Sequence, residues 1–177
     1  MKITRAWLVA VCIPAALIAA ASSSAQASPS TTTGGTLPAA VGSPALCKAV
    51  GRLDKLVVRR MDAFPQNGIH FSFPAVVEVD RVSSVRYAAR IVCDLPPMPA
   101  GKFACPLDLG ITYRLSFTAP GRMFRTVVVA VTGCELVSGL GRTRWVARSP
   151  HFWHRLGKAM GLVDATYATF RGTPASG

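Results

Sequence analysis

The sequence predicts an α+β fold: an antiparallel sheet of three to five strands, covered on one face by about three helices and stapled by two disulfides. Three observations lead there. A strand–turn–strand pattern fills the stretch from Cys105 to Cys134, amphipathic segments flank it, and four cysteines follow an export signal.

Met1–Ala27 reads as a secretory signal peptide. Lys2 and Arg5 form its positive region, Ala6 to Ala21 its apolar region, and Ala25-Gln26-Ala27 puts small residues at the cleavage site. The apolar run is shorter than the about 20 residues a membrane span needs, and Pro14 lies inside it. The mature chain is therefore expected to be secreted, to begin at Ser28, and to have no stable membrane insertion. Residues 28–43, rich in Ser, Thr, Pro and Gly and without charge, read as a disordered tether. Residues 44–163 read as a single α+β domain and residues 164–177 as a C-terminal tail.

Within the domain, Leu46, Ala49, Val50, Leu53, Val57 and Met61 have the spacing of one helix face, starting near Ser43-Pro44. Gln66-Asn67-Gly68 marks a turn. From Ile69 to Asp80 strict alternation predicts a strand, and Pro74, which cannot donate to a ladder, makes it an edge strand or an interrupted one. Asp80 is placed to cap a second helix whose buried stripe is Val82, Val85, Ala89, Val92 and Leu95.

The central hairpin is the most regular part. Ile111, Tyr113, Leu115 and Phe117 alternate with Thr112, Arg114, Ser116 and Thr118, Pro120-Gly121 turns the chain, and Met123 to Thr132 returns as a Val-rich strand. Short apolar pieces at Leu136-Val137 and Trp145-Val146-Ala147 follow. A last helix is expected after Ser149-Pro150, with Phe152, Leu156, Ala159 and Met160 buried and Gly161 ending it.

Without Lys2 and Arg5 the 20 basic residues become 18 against 8 acidic ones, leaving a mature charge of about +10. Such an excess attracts polyanions diffusely. The expected partner is a protein or an anionic cell-envelope polymer, and no motif for a specific nucleic acid is present. The even set Cys47, Cys93, Cys105 and Cys134 allows three connectivities in an oxidising compartment. Hairpin geometry favours Cys105–Cys134 with Cys47–Cys93, and Cys93–Cys105 is the competing pair. Their spacing fits no zinc site. Enzyme signatures such as G-x-S-x-G, H-E-x-x-H or a Gly-rich phosphate loop do not occur. The sequence thus assigns no catalytic residue, metal or cofactor, and reads as a non-catalytic disulfide-bonded domain, with an unrecognised secreted hydrolase as an alternative.

The CPxDxGxxYxLxF strand, the following Gly-Cys and the segment SPHFWHRLGKAMGL together resemble a group of small exported proteins of high-GC Gram-positive bacteria. That likeness implies export and a shared fold. Confined to the hairpin, Cys105-Pro106 opening a strand and Cys134-Glu135 closing it is similar to the subtilisin-inhibitor-like family of secreted protease inhibitors. This resemblance implies that Leu107 is the primary-pocket residue and Leu107–Asp108 the reactive bond. Cys47 and Cys93 do not match that family's short first loop. Counting in twos back from Phe117 also predicts that Leu109 and Leu107 face the core and Asp108 faces solvent, the wrong direction for a reactive residue.

Sequencing the N-terminus of the secreted product checks the export reading. It should start at Ser28, and a membrane-bound chain retaining Met1–Ala27 would contradict it.

Overall fold

The computed structural model describes residues 44–147 and 149–175. The expected signal peptide and the expected tether, which includes Ser43, lie outside them. A short helix, α1 (Pro44–Lys48), passes through a 3-10 turn (Val50–Arg52) into β1 (Lys55–Asp62). The long helix expected to carry Val57 and Met61 on its face is not formed. Gly51 interrupts it, and Leu56 and Val58, both fully buried, follow a period of two that the helical count passes over. All eight residues of β1 pair with the central strand, and that tertiary pairing overrides the local preference.

After a 3-10 turn closed by Gly68, β2 (Ile69–His70) and β3 (Val76–Val79) divide what reads as one strand. Pro74 lies in the gap, and β3 forms the edge of the sheet. Helix α2 (Val82–Cys93) buries Val85, Ala88, Ala89, Ile91 and Val92. Its capping position is Arg81 rather than Asp80, without a side-chain cap bond.

Strand β4 (Ile111–Ala119), the turn at Pro120-Gly121 and β5 (Arg122–Met123) form the hairpin as expected. The return strand then breaks over residues 124–126 before β6 (Val127–Ala130). Across that break the register against β4 moves by one residue, from Thr118↔Met123 to Thr112↔Ala130, as at a bulge. β7 (Leu136–Ser138) and β8 (Arg144–Trp145) complete an antiparallel sheet of order β3-β1-β4-β6-β7-β8, with β5 paired to β4. Its seven strands are five longer ones plus the two-residue β5 and β8.

Only one phase of this sheet is buried. Leu56, Val58, Ile111, Tyr113, Leu115, Phe117, Val127 and Val129 form one core with the apolar stripe of α2 and with α3 (Phe152–Ala159). The α+β class is therefore as the sequence predicts. Ser149 does not cap α3: the capping position is His151, and the Phe152 N–H donates to the Ser149 carbonyl in the turn before it. Gly161 takes the expected left-handed conformation at φ +77°, and the Leu162 N–H closes the helix end on the Gly157 carbonyl at 2.9 Å. Both disulfides join as the hairpin geometry favours. Cys47–Cys93 ties α1 to α2 and Cys105–Cys134 spans a Cα separation of 4.8 Å.

The expected tail from residue 164 is instead folded as far as Pro174. Helix α4 (Tyr167–Arg171) and β9 (Thr173–Pro174), paired with β2, close over one end of the core. Phe170 is fully buried, its ring 5.3 Å from Tyr113, 5.7 Å from Phe73 and 5.0 Å from Trp153. The Tyr113 hydroxyl donates to the Phe170 carbonyl at 2.9 Å, and burial holds its ionisation well above the ordinary tyrosine range. A single Phe within the last residues was too weak a periodic signal to mark an element. Tyr113→Phe, which strands that buried carbonyl, should cost about 1–3 kcal/mol in denaturant unfolding and expose the C-terminal segment to proteases first. An unchanged midpoint would mean that α4 is not held this way.

Candidate functional site

The loop entering β4 is where the structure departs most from the periodicity of the sequence. Leu107 does not face the core: it is 81% exposed, in a segment without regular structure from residue 102 to residue 110. The inward direction expected from alternation fails because the strand begins only at Ile111. Gly110 stops it. Its φ is +72°, and a Cβ there would stand 2.7 Å from the Phe64 ring and 2.8 Å from the Ala63 Cβ. Leu109 is half-buried beside this glycine, and everything from Lys102 to Asp108 stands in solvent.

Exposed as it is, the loop is braced on both sides of Leu107. Two residues before it, Cys105 is bonded to Cys134. On the other side, the Thr132 hydroxyl donates to the Asp108 carboxylate at 2.7 Å and accepts from the Leu109 N–H at 2.8 Å. The same Asp108 oxygen accepts from the Gly110 N–H at 2.9 Å. Thr132 is itself 5% exposed and rises from the end of β6, next to the Val131 N–H that bonds the Ile111 carbonyl. Asp108 does lie at the surface, yet its side chain folds back toward the sheet instead of standing free. At Gly133, φ is +69° and a Cβ would come 3.2 Å from that of Asp108, so the side chain of Asp108 occupies the space a larger residue would need.

The approach to the loop is anchored as well. The Trp145 N–H donates to the Pro96 carbonyl at 3.0 Å, the Met98 N–H to the Thr143 carbonyl, and the Arg144 guanidinium to the Leu95 carbonyl at 2.6 Å. Phe103 rests its ring 5.7 Å from that of Trp145. Phe103 and Phe64, each about two-fifths exposed, offer apolar surface on the two sides of the braced segment. The sequence reading named Leu107, Asp108, Cys105 and Cys134 but missed Thr132 and Gly110. The one polar residue ending a Val-rich run and the glycine preceding a strand are the signals that could have found them.

Other places offer less chemistry. An open groove of about 430 Å³ between α2 and α3 is lined by Arg81, Ser83, Ser84, Tyr87, Lys158 and Ala159, with no histidine to activate a hydroxyl. Glu78 is engaged by Lys55 at 2.7 Å. His151 and His154 are exposed at the start of α3, and among the described residues no group of three His, Cys, Asp or Glu is placed to hold a metal ion. No helix of the described residues is long and apolar enough to cross a membrane. No protein-family model, curated protein or solved structure matches the chain.

Thr132→Val keeps the volume of the side chain and removes both of its hydrogen bonds, each worth about 1 kcal/mol. Limited proteolysis should then cut Leu107–Asp108 up to about thirtyfold faster, with the rest of the domain resistant. An unchanged rate would mean that the disulfide alone orders the loop.

Proposed function

We propose that this chain is exported and acts as a substrate-like inhibitor of a secreted serine protease with an apolar primary pocket. The observation that carries the reading is Leu107, a large apolar side chain 81% exposed between two independent braces. A leucine held in water is disfavoured by about 1.5–3 kcal/mol relative to burial, which a complementary pocket recovers on binding. Preorganisation adds to this, because a loop already fixed loses little conformational freedom in the complex.

The same braces account for resistance to hydrolysis. A protease acylated by Leu107 normally loses the amine fragment by diffusion. Here the Leu107 side stays tied to the sheet through Cys105–Cys134, and the Asp108 side through Thr132 and the start of β4. The new amine at Asp108 therefore remains beside the acyl carbon, where its high effective concentration favours resynthesis of the bond over attack by water. No residue of the inhibitor performs chemistry, in keeping with the lack of catalytic signatures in the sequence. Cys105-Pro106 and Cys134-Glu135, the residues similar to the subtilisin-inhibitor-like family, are the ones that frame this loop.

Titration of a subtilisin-like protease with the mature protein tests the reading. Stoichiometric inhibition is expected, lost by 100-fold or more, about 2.7 kcal/mol, in Leu107→Asp at unchanged thermal midpoint. Leu107→Lys should redirect inhibition toward proteases of tryptic specificity. A folded protein that inhibits neither class would refute the proposal.

A further inference from the structure

The second face of the sheet carries a feature that the inhibitor reading does not use. In the phase opposite the core, β1 presents Lys55, Val57, Arg59 and Met61, and β4 presents Thr112, Arg114, Ser116 and Thr118. All are half-buried or exposed. In the register of the two strands Arg59 stands directly opposite Arg114. Like charges in facing positions of an antiparallel pair repel, with Cβ atoms only about 5 Å apart. Neither guanidinium has a hydrogen-bond or ion-pair partner among the described residues. Among the described strand residues the carboxylate on this face is Glu78, which Lys55 takes at 2.7 Å, and Asp80 beyond the end of β3 also acts on Lys55. The two most central positions of an open face thus repel each other with no counter-charge assigned to them.

We infer that this face binds a linear phosphate polymer, with Arg59 and Arg114 as its paired anchors. An oxyanion between the two forks turns their repulsion into charge-assisted hydrogen bonds to both. The surface is flat and remains wet, so one small anion gains little there. A chain of anionic groups binds through many weak contacts at once, and the excess of basic residues in the mature protein supports it along its length. Hydroxyl donors lie next to the anchors, where Ser116 and Thr126 approach within 3.4 Å. A second copy of this chain is disfavoured as the occupant, because stacking two such faces about a two-fold axis brings the arginine pairs of both copies together. The face belongs to the sheet and not to the Leu107 loop, so the inference stands independently of the inhibitor reading.

The test uses the mature protein and long-chain polyphosphate as the probe, with neutral dextran as the control. Binding is measured by calorimetry and by mapping amide chemical shifts at about 0.1 M salt, where the Debye length is ~10 Å. Arg59→Gln/Arg114→Gln should weaken binding by about tenfold or more, while Arg90→Gln/Arg142→Gln, which removes the same charge elsewhere, should weaken it less than about threefold. Shift changes should centre on β1 and β4. Polyphosphate should raise the thermal midpoint of the wild type and of the control pair but not of the anchor pair. Equal losses in both pairs would reduce the effect to diffuse charge and overturn the inference, as would shifts centred on α2 or the Leu107 loop, or no binding. Concentration-dependent shifts on this face without polyphosphate would assign it to self-association instead.

Discussion

Gly110 sets the limit of β4, and the character of the molecule follows from that limit. Upstream of it the leucines keep the alternation of the strand, so a strand extended by two more residues in each step would bury Leu109 and Leu107. A left-handed residue packed against Ala63 and Phe64 prevents the extension. The chain leaves the sheet there and puts Leu107 into water. What would otherwise be a floppy entry to the central strand is held by one disulfide and one buried threonine. A rigid loop with an exposed apolar tip costs stability in the free protein, which is why the proposed role gives it a partner that covers it.

The sheet beneath supplies the rigidity. β4 is paired along its length with β1 on one side and with β5 and β6 on the other, and it contributes Tyr113, Leu115 and Phe117 to the centre of the core. Thr132 lies two residues past the end of β6, after Val131, whose N–H still bonds the Ile111 carbonyl, so the brace inherits the register of the β4–β6 ladder. The C-terminal segment reinforces the same strand from its buried side, where Phe170, together with Phe73, packs against Tyr113. One face of the sheet is thus committed to the core and the start of β4 to the loop, which leaves the Arg59–Arg114 face half-buried or exposed.

How much of this was legible in the sequence depended on whether local and tertiary preferences agreed. They agree in β4, in the stripe of α2 from Val85 to Val92 and at the Gly161 helix end, whereas Val82, expected on that stripe, is 39% exposed and Asp80 does not cap the helix. They conflict in β1, whose Leu56 and Val58 alternate inside a stretch that also has helical spacing, and pairing with β4 decides the outcome. At Leu107 the periodicity was real, but it ends at a glycine in the left-handed region, where Phe64 and Ala63, far away in sequence, leave no room for a side chain. The Thr132 brace was hidden for the same reason, since its bonds to Asp108 and Leu109 span more than 20 residues. The α4–β9 strap buries one large side chain, Phe170, and otherwise rests on pairing with β2, too little for any sequence pattern to register.

The equilibrium between intact and cleaved Leu107–Asp108 probes the braced loop most directly. Catalytic amounts of a subtilisin-like protease, incubated with intact protein and separately with protein cleaved at that bond, should drive both samples to the same mixture. Mass spectrometry should find both forms abundant at the end point and no other bond cut. Complete conversion to the cleaved form, or degradation beyond it, would contradict a loop that keeps its two new ends together.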